Sequence, residues 1–166
     1  MIRRVRRLYR LSLAAALVTG LSACASGGKV DRVSSTPIGW PVDPTVASVS
    51  SKFGTRRSGS SHQGIDLSAP KGTSVRATAA GKVVVAERSG AYGRTVVIDH
   101  GNGYRTRYAH LRRIAVEQGE RVMTGEIIGK IGKSGNASGF HLHYEIVIGG
   151  TPVDPRPFMD GRPPPR

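Results

Sequence analysis

Near the C-terminal end of the 166-residue chain runs Gly139-Phe140-His141-Leu142-His143-Tyr144-Glu145, in which polar and apolar residues alternate. In an extended strand residues i and i+2 share a face, so His141 and His143 project side by side with Glu145 next in line. Neutral imidazole is the commonest protein ligand for a transition metal, and a second imidazole beside it can handle protons near neutral pH. The pair therefore suits a metal hydrolase. A His-x-His pair by itself is more often a solvated strand face, so the chemistry needs partners elsewhere. Two further segments supply them: His62-Gln63-Gly64-Ile65-Asp66 and Tyr108-Ala109-His110-Leu111. A catalytic zinc takes three protein ligands and leaves a fourth position for water. His62, Asp66, His110, His141 and His143 fill that recipe with two histidines to spare for proton transfer and oxyanion stabilisation, and spacing alone does not assign which does which. His100, at a hairpin end before Gly101-Asn102-Gly103, reads as structural or surface. Glu145 reads as an exposed strand carboxylate, the commoner case, with a supporting contact to the histidines as the alternative.

The elements that must position these residues are all β. The 22 Gly and 10 Pro favour a turn-rich architecture over a helical bundle. Short strands are expected around 46–51, 65–67, 74–77, 82–87, 94–100, 104–108, 121–123, 126–131 and 141–148. Ile65 and Leu67 flank Asp66, so the acid faces away from its apolar neighbours. Asn102-Gly103 supplies the two positive φ values of a type I′ turn, making 98–108 the clearest hairpin. Tyr104, Thr106 and Tyr108 then share one face, which either packs or lines a groove. Leu111 to Val116 is expected to hold a helical turn at most, and Gly132 to Gly139 is a small-residue loop leading into the histidine strand. Lys133, Ser134 and Asn136 in that loop read equally as substrate contacts or as a plain connection. Asp154-Pro155 and the terminal Pro163-Pro164-Pro165 forbid regular pairing, so the chain from there on reads as extended, with 159–166 a Pro-rich tail.

Arg3, Arg4, Arg6, Arg7 and Arg10 precede an apolar run from Leu11 to Ala23, the charged and hydrophobic regions of a secretory signal. The run is shorter than the roughly 20 residues a bilayer span needs. It ends in Leu21-Ser22-Ala23-Cys24, and Cys24 is the only cysteine of the chain. This tetrapeptide resembles the lipobox of bacterial lipoproteins, in which the signal is cut before a cysteine that is then lipid-modified. Ala25 stands where an Asp retains such lipoproteins in the inner membrane, so the resemblance implies an outer-membrane anchor facing the periplasm. The expected organisation is a signal at 1–23, a lipid-anchored flexible linker at 24–39 and one domain at 40–158. The formal charge of +14 falls to +9 without the leader, because its five arginines leave 20 basic against 11 acidic side chains. For an exported protein that charge points to cell-wall polymers or anionic head groups, or to plain solubility. No nucleic-acid module or aromatic-interleaved basic stripe is present, so nucleic acid is excluded as a partner.

Taken together the motifs resemble the lysostaphin-like (LytM-type) zinc metalloendopeptidases. His62-Gln63-Gly64-Ile65-Asp66 matches their His-x-x-x-Asp motif, His141-Leu142-His143 their His-x-His motif, and Tyr108-Ala109-His110-Leu111 the third element. Gly101-Asn102-Gly103-Tyr104, Gly132-Lys133-Ser134-Gly135 and Pro152-Val153-Asp154-Pro155 are similar to further parts of the same domain, and the likeness runs from about Trp40 to Phe158. It implies an all-β antiparallel sheet or sandwich of the duplicated-hybrid-motif type, with one zinc ion in a groove between loops. It implies that His62, Asp66 and His143 bind the zinc and that His110 and His141 are catalytic. The implied activity is hydrolysis of peptide crosslinks in peptidoglycan, at a D-alanine to diamino-acid bond in a thin wall. The alternative is a non-enzymatic wall-binding activator of a cell-wall amidase or a division partner, as in family members that have lost zinc-binding residues; here every such position is filled. The lipobox generates its own test: full-length protein should incorporate labelled fatty acid and sediment with membranes, and Cys24→Ser should abolish both. An unlabelled, freely soluble full-length protein would remove the anchor.

Overall fold

The computed structural model describes residues 36–57 and 59–162, so the expected signal, Cys24, most of the linker and the last four residues lie outside the described residues. Among the described residues the strands are β1 (Ser48–Ser51), β2 (Arg56–Arg57), β3 (Ser60–Ser61), β4 (Ile65–Ser68), β5 (Ser74–Arg76) and β6 (Gly81–Ser89). They continue with β7 (Gly93–Gly101), β8 (Tyr104–Ile114), β9 (Arg121–Val122), β10 (Ile127–Ile131), β11 (His141–Ile148) and β12 (Thr151–Val153). β2 and β3 form a small hairpin of their own. The others build one antiparallel sheet in the order β1-β4-β11-β8-β7-β6-β9, with β12 on β11 and with β10 joining β5 to β8. The all-β antiparallel architecture expected from the sequence is therefore the one found.

Alternation decides which face each strand buries. Ile65 and Leu67 of β4, Leu142, Tyr144 and Ile146 of β11, Tyr104 and Tyr108 of β8, and Val96 and Ile98 of β7 are all buried in one continuous core. Tyr108 and Tyr144 pack with ring centroids 5.3 Å apart, and Thr78 Oγ1 lies 3.0 and 2.9 Å from their hydroxyls, so these buried oxygens are satisfied. The Tyr104, Thr106 and Tyr108 face is thus packed and does not line a groove. The opposite face of β4 and β11 carries Asp66, His141, His143 and Glu145. The Asn102-Gly103 hairpin is as expected, with φ of +48° and +80°.

Two local expectations fail for reasons of tertiary pairing. Leu111 to Ile114 is not a helical turn but the second half of β8, because β10 offers it a backbone partner, with Ile131 opposite Leu111 and Gly129 opposite Ile114. The tail holds one helical turn, Arg156–Met159, rather than extended chain throughout. Asp154 Oδ1 accepts the Arg156 N–H at 3.0 Å at its start, and Phe158 is buried with its ring centroid 6.5 Å from that of Tyr104.

His100 belongs to the core, 3% exposed. Its Nδ1–H donates to the Ala80 carbonyl at 2.9 Å, which leaves Nε2 to accept from Thr106 Oγ1 at 2.7 Å. Burial pushes its pKa down, only partly offset by the Ala80 hydrogen bond and the charge of Asp99. An unfolded histidine titrates near 6.5, so below that pH the unfolded chain binds a proton that the folded ring refuses. The ring's contribution to stability is present above about 6.5 and is lost as pH falls. The thermal midpoint of the wild type should therefore drop more steeply between pH 7 and 5 than that of His100→Gln, which starts lower at pH 7. Parallel slopes would assign the acid sensitivity to other groups.

Candidate metal centre and its cleft

The centre is built on the pairing of β4 with β11, where His143 stands directly opposite Asp66, and of β11 with β8, where Glu145 stands opposite Arg107. His62 arrives from the loop after β3, its backbone N–H bonded to Thr55 O at 2.9 Å and its carbonyl to Gly54 N at 2.9 Å. Gly64 lets this segment lie flat on β11: a Cβ there would fall 2.4 Å from Tyr144 O and 2.8 Å from Glu145 Cγ.

Hydrogen-bond partners set the ring tautomers. His62 Nδ1–H donates to Lys52 O at 2.9 Å, leaving Nε2 with its lone pair. His143 Nε2–H donates to Glu145 Oε1 at 2.9 Å, leaving Nδ1 with its own. These two nitrogens lie 3.0 Å apart, and Asp66 Oδ1 is 2.8 Å from His143 Nδ1 and 3.1 Å from His62 Nε2. Three lone-pair donors converging this closely repel one another unless a cation sits among them. Zinc ligated at about 2.0–2.1 Å in a tetrahedron holds its ligand atoms roughly 3.3 Å apart, so the buried His62, Asp66 and His143 fit such an ion after small adjustments.

The electrostatics agree. Without a cation a proton takes its place: burial alone would raise the Asp66 pKa, but hydrogen bonding and charge from a His143 protonated at Nδ1, then the charge of His62 and the hydrogen bond of Arg57, outweigh it and hold the carboxyl far below the usual range. Arg57 takes Asp66 Oδ2 in an ion pair, which leaves Oδ1 for the centre. Burial lowers the pKa of His62, whereas at His143 the lowering effect of burial is outweighed by hydrogen bonds to Asp66 and Glu145 and by their charges, so the pKa is raised and the surroundings of this ring favour positive charge.

Glu145 is not the exposed strand carboxylate expected from the sequence. It is fully buried, and besides His143 it accepts from Tyr92 Oη at 2.8 Å and from Arg107 at 2.6 Å. The even spacing from His143 places Glu145 on the right face, but its burial depends on Tyr92, which arrives on a single 3₁₀ turn from a distant stretch of sequence. Arg57, Tyr92 and Arg107 are not legible as site residues for the same reason.

His110 and His141 overlook the three donors. His141 Nδ1–H donates to Gly139 O at 3.1 Å, and its Nε2 lies 3.9 Å from Asp66 Oδ1. His110 Nδ1–H donates to Ser134 O at 2.8 Å, and the two rings are 4.8 Å apart. His110 has φ +59°, an uncommon conformation for a residue other than glycine. It marks the place where β8 changes partner along one edge, from β11 at Ala109 to β10 at Leu111, and where the pairing with β7 also shifts register. Burial pushes the His110 pKa down, so the ring is neutral at neutral pH. Beside these groups opens a cleft of about 340 Å³ whose walls include Arg57, Tyr92, His110, Asn136 and His143. The structure thus brings together all five residues singled out in the sequence, and leaves His100 in the core.

A buried three-donor centre on a sheet, overlooked by two imidazoles at the edge of a cleft, defines the class of metal-dependent hydrolases. The chain belongs to peptidase family M23, whose family model matches residues 60–155. It is 45% identical over 123 residues to the DD-carboxypeptidase/endopeptidase Mpg of Neisseria meningitidis serogroup B, covering 70% of this chain and 28% of that protein. It is 34% identical over 145 residues to the uncharacterized lipoprotein YgeR of Escherichia coli K12, covering 85% of this chain and 56% of that one. The chain therefore spans only part of the curated relatives it matches. Among solved structures, a zinc-containing peptidase from Vibrio cholerae matches with a TM-score of 0.68 at 34% identity, over 72% of this chain and 39% of that one. The catalytic domain of the antimicrobial peptidase lysostaphin from Staphylococcus simulans matches with 0.64 at 31%, over 68% and 92%. These neighbours bear out the lysostaphin-like fold.

The Glu145 contact to His143 can be tested without turnover. Carboxylates that receive the far N–H of a metal-bound imidazole typically contribute 10- to 100-fold in metal affinity. Glu145→Gln should weaken zinc binding by about that factor in a chelator competition, with the fold intact by circular dichroism. Unchanged affinity would reduce Glu145 to a filler of buried space.

Proposed function

We propose that this chain is a zinc endopeptidase that hydrolyses peptide crosslinks of peptidoglycan, in which His62, Asp66 and His143 hold the metal and His110 and His141 carry protons. The observation that carries this reading is the convergence of His62 Nε2, His143 Nδ1 and Asp66 Oδ1 at 2.8–3.1 Å beside two imidazoles whose Nε2 atoms are not used by the fold. Bound there, zinc would supply the Lewis acid that brings the pKa of a water to about 7 and polarises the scissile carbonyl. His110 and His141 both spend Nδ1–H on a backbone carbonyl, so each presents Nε2 as a proton acceptor. The imidazole that takes the attacking water's proton then becomes a donor, able to stabilise the oxyanion or to protonate the departing amine as the C–N bond breaks. No glutamate base is needed, and Glu145 is committed to His143, Tyr92 and Arg107.

The names of the relatives, a DD-carboxypeptidase/endopeptidase among them, support a bond between D-alanine and the diamino acid of a neighbouring stem peptide as the one cut. The lipobox at Cys24, with Ala25 after it, and the similarity to a lipoprotein support an outer-membrane anchor that holds the domain in the periplasm against the wall.

Digestion of purified sacculi, with metal content measured on the same samples, tests the function. The wild type should carry one zinc per chain and release peptide fragments. His62→Ala should lose metal and activity together. His141→Ala should keep its metal and lose at least about 100-fold in turnover, the usual worth of a positioned general base. A wild-type protein without stoichiometric metal that releases nothing, yet stimulates an amidase on the same sacculi, would replace this reading with the activator.

A further inference from the structure

On the other side of the Gly132–Gly139 loop lies a second cleft, of about 360 Å³, whose charged lining is Lys71, Arg88, Arg94, Arg112 and Lys133, with no carboxylate among its walls. All five side chains are exposed. The arginines that form ion pairs among the described residues are others: Arg57, Arg105, Arg107, Arg156 and Arg162. Arg88 and Arg94 are moreover direct register partners in the pairing of β6 with β7. Like charges facing each other across two strands destabilise a sheet, so the fold carries this pair at a cost that a bound anion would remove. Phe140, an exposed aromatic with the Lys71 ammonium 5.8 Å from its ring centroid, closes the cleft beside His141.

The cleft shares a wall with His110. Ser134 holds His110 through its carbonyl, while its hydroxyl accepts the Arg94 N–H at 2.8 Å and donates to Leu111 O at 2.8 Å. Gly93 and Gly135 bring the two segments together; a Cβ on Gly93 would lie 2.4 Å from Ser134. From these observations we infer that the cationic cleft is a specificity site that seats free carboxylates of the substrate's peptide arm while the scissile bond lies at the histidines. This rests on the reading of the histidine cleft as a peptidoglycan peptidase, since stem peptides carry several free carboxylates. Guanidinium groups match carboxylates in fork geometry, and a concavity of this size takes a short length of peptide rather than a flat lipid surface.

The test uses the full chain and a crosslinked stem-peptide dimer in two forms, with carboxylates free and with carboxylates amidated. Arg94→Gln/Arg112→Gln should raise KM on the free-acid dimer about tenfold with kcat and zinc content unchanged. The amidated dimer should have a high KM in the wild type that the variant does not move. Equal KM values for the two dimers in the wild type would overturn the inference. Thermal midpoints check folding, and Arg94→Gln should not fall below the wild type because it relieves Arg88; Lys133→Gln, on a loop, is the second variant. Binding of the uncrosslinked free-acid stem peptide is read separately from backbone amide shifts at Arg88, Arg94 and Arg112. Those shifts, lost in the variant, would uphold the cleft even in a chain that cuts nothing. Turnover without them would overturn it and leave the peptidase standing. If the variant instead loses sedimentation with phosphatidylglycerol vesicles while KM stays put, the cleft faces a membrane and the inference is wrong.

Discussion

His143 and Asp66 sit opposite one another in the pairing of β4 with β11, and that register is the constraint on which the site depends. A slip of one residue would send His141, His143 and Glu145 into the core and expose Leu142, Tyr144 and Ile146, so burial of the apolar set and assembly of the polar set are a single event. The sheet thereby forces together three lone-pair donors that no side-chain flexibility would bring together in an unfolded chain. Their mutual repulsion is held down on every side: Lys52 O fixes the His62 ring, Glu145 the His143 ring, and Arg57 the far oxygen of Asp66. What remains is a point that attracts a cation, with the energetic cost met by the core beneath it.

His110 shows a second form of the same constraint. To place an imidazole above the donors, β8 must leave β11 before that strand ends its approach and take up β10 instead, and the left-handed conformation at His110 is where the chain turns from one partner to the other. Such a residue costs on the order of 1–3 kcal/mol and persists only where its neighbours over-determine it. Ser134 does so here, bonding the ring through its carbonyl and the flanking Leu111 backbone through its hydroxyl.

Side-chain period makes the donor set legible in the chain's own order of residues: the alternation of β11 and the isolation of Asp66 between Ile65 and Leu67 are local facts, and the strands follow the same rule. What escapes a linear reading is what arrives from a distance. Glu145 reads as a surface acid because nothing within its own strand shows that Tyr92 and Arg107 close over it. Leu111 to Ile114 reads as a helical turn at most, because the adjacent exposed Arg112 and Arg113 break the alternation of a strand and the pairing with β10 comes from a distance in the sequence. The lining of the cationic cleft comes from β6, β7, β8 and two loops, and no window of the sequence contains it.

Seen across the Gly132–Gly139 loop, the two clefts have opposite preferences. One gathers lone pairs and buried carboxylates and so favours a cation, and the other gathers unpaired cations and so favours anions. Ser134 is bonded into both, holding His110 on one side and the Arg94 backbone on the other. A ligand that neutralises the arginines would press on the same loop that aims the His110 ring. The five cationic side chains are exposed, so a bound anion would act on His110 through the Ser134 hydrogen bonds rather than through charge at a distance. On the proposed reading, the wall between the clefts is a route by which substrate groups away from the scissile bond would bear on His110.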